Sequence, residues 1–319
     1  MIKFAPLAVC SALAACTPEL GAPQSLVSTN RILAVKGEPA EAAPEDAVTF
    51  TALVASPEGT KSAQLVWGLC VAPKPLAENN VVSLECTRDM VTPLSMVGPT
   101  SSGRLPDTAC SLFGPDTPPS LPGQPPLRAR DPDVTGGYYQ PVRATFIQGG
   151  SDDGDVVAFG LQRISCNLAN APVAVVGEFG KRYTVNHNPA LESLSLTVAG
   201  GAAQPVPVDG QGAPPSVAAG ASVTLRAAWK DGSAESYPVF DVARRALVDH
   251  REALRLSWYA TGGAFEHDRT GRGEDETVSY TDNAWVAPDA AGPIHLWTVL
   301  RDSRGGVDFA SFTITVTAP

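Results

Sequence analysis

Positive charge is scarce in this sequence. Only 23 of the 319 residues are Lys or Arg, against 33 Asp or Glu, for a formal net charge of −10. A chain so biased lacks the basic face that displaces phosphate counterions, so nucleic acid is excluded as a partner class. Charge of either sign is sparse, at 18% of residues against the usual ~25%. Histidine is limited to His187, His250, His267 and His295, none close to another in sequence. No HExxH, GxSxG, Walker loop or dinucleotide fingerprint occurs, which removes the local signatures of metalloproteases, α/β-hydrolases and nucleotide enzymes. The chain is therefore read as non-enzymatic. Long apolar runs are also missing: the longest, Phe4 to Leu13, falls short of the ~18 residues a transmembrane helix needs.

Glycine and proline are abundant, at 29 each, in a chain that is still 44% hydrophobic. Helices tolerate neither residue well, while that apolar content supports a packed core, so an all-β, loop-rich architecture is expected. Lys3 followed by the short apolar run reads as an export signal. The run ends in Leu13-Ala14-Ala15-Cys16, which resembles the lipobox of bacterial lipoproteins. The resemblance implies a signal peptide over 1–15 and a mature chain beginning at Cys16, carrying diacylglycerol on its sulfur and an acyl chain such as palmitate on its amine. Several chains on one residue give stable anchoring, at about 0.8 kcal/mol per buried methylene. Thr17 is not the Asp that resembles an inner-membrane retention signal, so outer membrane or cell surface is the expected location. Residues 16–30 read as a lipidated tether.

Two stretches echo each other. AVTFTALVA places Val48, Phe50, Ala52 and Val54 on one face of a strand, and SVTLRAAW does the same with Val223, Leu225, Ala227 and Trp229. Each is followed by a second alternating strand with a central tryptophan: Ala63, Leu65, Trp67 in the first and Leu254, Leu256, Trp258 in the second. The pattern resembles strands B and C of an immunoglobulin-like sandwich. Two tandem Ig-like β-sandwich domains are thus expected, over 31–186 and 190–319, with Asn186-His187-Asn188-Pro189 between them. The ending, in which His295, Trp297 and Val299 alternate, a turn at 302–306 follows, and Ala310, Phe312, Ile314 and Val316 alternate again, resembles the last hairpin of PKD-type domains. The whole layout resembles the Ig-like surface lipoproteins of myxobacteria. Leu194, Leu196 and Val198 read as a first strand, 200–220 as a long loop, and 233–249 as an insert with a short helix through Val242, Ala243, Ala246 and Leu247. Residues 156–168 carry both helical and alternating spacing, and the strand is preferred. Pro172 opens a short helix with Val173, Val176 and Phe179 on one side. Residues 104–134 hold eight prolines and read as a surface excursion without a helix or central strand.

With Cys10 discarded and Cys16 acylated, Cys70, Cys86, Cys110 and Cys166 remain. An even set in an exported chain suggests two disulfides, with three possible pairings. Cys70 with Cys86 and Cys110 with Cys166 is expected, pinning the excursion at both ends. A zinc site is the alternative, but no CxxC is present. Asp152, Asp153 and Asp155 concentrate hard oxygen ligands for calcium without matching the EF-hand spacing; a solvated turn is the plainer reading. No cofactor is expected beyond the acyl chains. Tyr138, Tyr139 and Trp285 are candidates for an exposed platform facing a glycan or protein, set against a core role that the residue types favour. The functional expectation is a lipid-anchored binding or structural module of the cell envelope, with an envelope hydrolase or its accessory subunit, or an architectural spacer, as alternatives.

Overall fold

A computed structural model describes residues 23–73, 81–94, 98–115, 122–123, 137–148, 154–168 and 171–318. The first half contains β1 (Arg31–Glu38), β2 (Glu41–Ala42), β3 (Ala47–Ser56), β4 (Gly59–Thr60), β5 (Leu65–Cys70), β6 (Val91–Pro93), β7 (Thr100–Arg104), α1 (Ala109–Phe113), β8 (Gly137–Phe146), β9 (Val156–Ser165) and α2 (Val173–Arg182). One sheet joins β1, β3, β4 and β7, and the facing sheet runs β2-β9-β8-β5-β6. The second half contains β10 (Leu191–Val198), β11 (Gln204–Val206), β12 (Ser216–Ala218), β13 (Ser222–Trp229), β14 (Ser236–Asp241), β15 (Ala246–Arg251), β16 (Leu254–Ala260), β17 (Ala264–Phe265), β18 (Arg269–Arg272), β19 (Tyr280–Val286), β20 (Gly292–Arg301) and β21 (Val307–Thr317). Its sheets run β11-β10-β13-β19-β17 and β12-β21-β20-β16-β18, with β14-β15 as a separate hairpin.

The two halves share one topology. In each, the first strand pairs antiparallel with the second long strand (β1 with β3, β10 with β13), and between these two the chain visits the other sheet. There a short strand runs parallel to the last one, β2 with β9 and β12 with β21. The alternating residues explain the packing. Val48, Phe50, Val54, Leu65 and Trp67 are buried between the first pair of sheets, and Val223, Leu225, Trp229, Leu256 and Trp258 between the second. Each central tryptophan also has its indole N–H satisfied, Trp67 by the Gly98 carbonyl at 2.8 Å and Trp258 by Thr270 Oγ1 at 2.9 Å, as burial of that donor demands.

Several expectations are corrected. The 233–249 insert is the β14–β15 hairpin, because the Asp241 carboxylate accepts from the Ala243 and Arg244 amides, both at 2.9 Å, and closes a turn where a helix would need to continue. The proline-rich excursion begins with a helix after all: α1 fits between Pro106 and Pro115. The 200–220 loop contains β11 and β12, which edge the two sheets. Helix α2 forms as expected, but its Val173 is exposed; Phe179 is buried instead, beside Phe240 of the hairpin. Val198 is exposed at the end of β10. On β20 the core face is Ile294, Leu296 and Leu300, while Trp297 and Val299 point the opposite way and are nonetheless buried.

Cys70 is bonded to Cys86 and Cys110 to Cys166, with Cα–Cα distances of 5.4 and 5.9 Å. The first closes the β5–β6 connection, outside the proline-rich segment. The second fastens α1 to the residue following β9, so only one bond serves the excursion. Its 56-residue separation makes its loss the more costly. Cys110→Ser with Cys166→Ser is expected to lower stability by about 4 kcal/mol on the loop-entropy relation. Urea denaturation of the non-reduced proteins measures it, and an unchanged midpoint would contradict the estimate.

Candidate functional site

The outward faces of two sheets meet between the sandwiches. Leu33, Ala34, Leu53 and Ala55 from β1 and β3 pack against Trp297, Val299 and Val307 from β20 and β21, forming a third apolar core. Four sheets are therefore stacked in layers. Polar contacts cross the same seam: the Trp297 indole N–H donates to Thr60 Oγ1 at 2.8 Å, Lys36 pairs with Asp308 at 3.0 Å, and Arg301 donates to the Leu33 carbonyl at 3.2 Å. The N-terminal segment joins in, its Val27 amide donating to the Ala260 carbonyl and Val27 itself lying in the shared core. Residues 25–27, assigned to the tether from sequence, are thus docked on the second sandwich.

Beside this core lies a chain of buried charges. The Glu41 carboxylate, fully buried on β2, accepts from Arg163 Nε at 3.1 Å, Ser165 Oγ at 2.6 Å, the Tyr183 hydroxyl at 2.6 Å and the Asn186 amide at 2.9 Å. Four donors on one carboxylate offset the cost of removing it from water. From the other sandwich, Arg304 donates to Glu252 at 2.6 Å, Glu235 at 2.5 Å, the Thr184 carbonyl at 2.9 Å and the Tyr183 hydroxyl at 3.3 Å. Tyr183 is the shared member, touching both arginine centres. Asp302 holds the β20–β21 turn by accepting from the Arg304 and Gly306 amides at 2.9 and 2.8 Å. Position 306 has to be glycine, since a Cβ there would come within 2.1 Å of the Asp302 carboxylate.

Burial sets the protonation of this cluster. It pushes the Tyr183 hydroxyl well up, and it raises Asp302 against the pull of the amides it accepts from. It also lifts Glu252 to about 7, with the Asp302 charge adding to the shift and Arg304 opposing it. The folded protein then holds a proton on Glu252 that the unfolded chain, with a carboxyl near 4.5, releases. Stability supplied by that proton is full below about 4.5 and lost as pH rises through about 7. The melting temperature is expected to fall between pH 5 and 7.5, and Glu252→Gln is expected to flatten that slope. An identical slope in the variant would contradict the assignment.

A cleft of about 330 Å³ opens along the seam, lined by Ile32, Val35, Tyr139, Phe159, Leu161 and Arg301 among others. Of the sequence candidates among the described residues, only Tyr139 reaches it, with its hydroxyl donating to the Arg304 carbonyl at 3.1 Å. Tyr138 and Trp285 are fully buried in the two sandwich cores, so neither forms an exposed platform. Asp152 and Asp153 lie outside the described residues, as does Cys16; Asp155 accepts from the Gln148 amide at 3.2 Å. Among the described residues no group of three His, Cys, Asp or Glu side chains is placed to hold a metal ion, and no helix is long and apolar enough to cross a membrane. The cleft-lining residues include no histidine.

The strand order, the two tryptophan-centred cores and the disulfides define an all-β protein of two Ig-like sandwiches. No family model matches the chain, and no curated protein does. Among solved structures it is similar to dimeric latent PorU from Porphyromonas gingivalis (9% identity, TM-score 0.22), covering 92% of this chain and spanning about a quarter (24%) of that one. It is similar to the fibronectin(III)-like modules of Clostridium thermocellum CbhA (9%, TM-score 0.20), over 92% of this chain and 93% of that one. A third likeness is to the chicken CNTN1 FN1-FN3 domains (12%, TM-score 0.21), over 92% and 69%. At these scores the fold assignment rests on the topology above.

Proposed function

We propose that this chain is a lipoprotein of the outer membrane or cell surface, acylated on Cys16, whose fused sandwiches act as a rigid module binding a protein or glycan of the envelope. The observation that carries the reading is the seam. A third core and a buried ionic chain fix the two sandwiches to each other, so the cleft along it keeps its shape without a ligand, which favours binding by a preformed surface. The spacer alternative fits less well, because stacking the domains side by side shortens the reach that a tandem arrangement would give. Fold by itself does not select a ligand, so the test starts from the partner. Wild type recovered from envelope fractions is expected to carry acyl chains on Cys16 by mass spectrometry and to retain a discrete partner that Tyr139→Ala with Leu161→Arg loses. A Cys16→Ala protein that still fractionates with membranes after a salt wash would contradict the anchor. A partner retained equally by the cleft variant would contradict the binding surface.

A further inference from the structure

The outer face of the β12-β21-β20-β16-β18 sheet is only partly covered by the first sandwich, and its uncovered part is basic. Arg255 on β16 stands directly opposite Arg301 on β20. Arg269 on β18 is paired with Ser257, two residues along β16 on the same face, and its charge acts on Arg301. At the far end of β16, the Arg31 guanidinium lies over the Tyr259 ring, 5.7 Å from its centroid, and the Tyr259 hydroxyl also engages Arg301. From Tyr259 to Arg255 the strip is about 13 Å long at ~3.3 Å per residue.

Like charges opposite one another across strands are destabilising. Of the other described arginines six are neutralised by carboxylates, Arg104, Arg143 and Arg251 donate to backbone carbonyls, and Arg88 and Arg245 have no ion pair among the described residues. Arg163, Arg182, Arg226, Arg244, Arg272 and Arg304 each have a carboxylate within 4 Å. Arg31, Arg255, Arg269 and Arg301 have no such ion pair among the described residues, although acidic residues outnumber basic ones by 33 to 23. Arg255 and Arg269 are exposed, leaving their guanidinium groups open to an incoming anion.

The position of the strip says which anion. Arg31 donates to the carbonyls of Gln24 and Leu26 at 2.8 and 3.2 Å, and residue 26 bridges to Ala260 at the end of β16. The N-terminal segment therefore leaves the body of the protein beside the arginines. Cys16 is seven residues before Pro23, a separation of at most ~25 Å extended and roughly 15 Å as a flexible coil. A membrane holding acyl chains at Cys16 lies within reach of this face.

We propose that the exposed Arg255 and Arg269, with the positive field of the half-buried Arg301 and Arg31 behind them, form a docking site for the phosphates of an anionic lipid surface, orienting the anchored protein with this sheet face toward the membrane. The inference rests on the lipid-anchored reading above. Guanidinium groups suit the task, since their planar donor fork matches phosphate oxygens and they are less strongly hydrated than an ammonium.

The test is co-sedimentation of the full-length Cys16→Ala chain with phosphatidylglycerol or phosphatidylcholine vesicles. Apolar residues 4–13 act alike on both lipids but Lys3 and the amino terminus favour the anionic one, so the contribution of the arginines is read from parent against double variant. Binding to phosphatidylglycerol is expected to be at least about tenfold tighter and to weaken with salt. Arg255→Gln with Arg269→Gln is expected to reduce it about 10- to 30-fold, at roughly fivefold per arginine near an anionic surface. Both side chains are exposed, and a melting temperature no lower than the parent's checks that the fold is kept. Equal binding to the two lipids, or by parent and double variant, would overturn the proposal. So would release by millimolar inorganic phosphate beyond that given by chloride of equal ionic strength, which would assign the site to a soluble phosphate. Failure of the anchor reading shows separately, as an unacylated Cys16 in wild-type protein.

Discussion

Trp297→Ala is expected to destabilise the protein by about 3–5 kcal/mol, the range for deleting a large aromatic from a core, and to separate the unfolding of its two halves. The indole is 1% exposed, yet it belongs to neither sandwich core: it packs on Leu33, Leu53 and Ala55 of the first sandwich and donates to Thr60. Its removal leaves a cavity in the seam and an unpaired Thr60 hydroxyl while both sandwich cores stay intact. Calorimetry is therefore expected to show one transition for wild type and two for the variant. A single transition with an unshifted midpoint would mean the seam contributes little.

Arg304→Ala is expected to cost a similar 3–5 kcal/mol by a different route. The guanidinium satisfies Glu252, Glu235, the Thr184 carbonyl and Tyr183 together. Truncating it strands the fully buried Glu252 beside Asp302, and an uncompensated buried charge is what makes breaking such a pair expensive. Because Glu252 escapes by taking a proton, the loss is expected to be larger at pH 8 than at pH 5. Chemical denaturation at the two values measures this. Arg304→Ala combined with Glu252→Gln is expected to recover part of the loss, and a double variant no better than the single one would place the cost elsewhere.

The sandwiches were legible in the sequence because their strands alternate. Val48, Phe50, Val54 and their counterparts Val223, Leu225 and Trp229 sit where a period of two puts them. The seam was hard to see for the same reason. β20 is apolar on both faces, with Ile294, Leu296 and Leu300 on one and Trp297 and Val299 on the other. Reading only one alternating set hid that the strand is covered twice; apolar side chains at consecutive positions, Leu296-Trp297 and Val299-Leu300, are the signal for that. The ionic chain left a fainter trace, single charges inside otherwise apolar strands, Glu41 and Arg163 among them. Sequence shows such a charge but not its partner, because Glu41 and Arg163 are 122 residues apart and Arg304 meets Glu252 across the second sandwich. The arginine strip escaped notice because its members come from β1, β16, β18 and β20 and become neighbours only through strand register.

The central claim is that the two sandwiches form one block, and small-angle X-ray scattering of the full chain tests it most directly. A stacked arrangement of this length predicts a radius of gyration of about 20 Å from compact-chain scaling, unchanged by moderate salt. A two-lobed particle well above that size, such as domains strung in tandem would give, would contradict it.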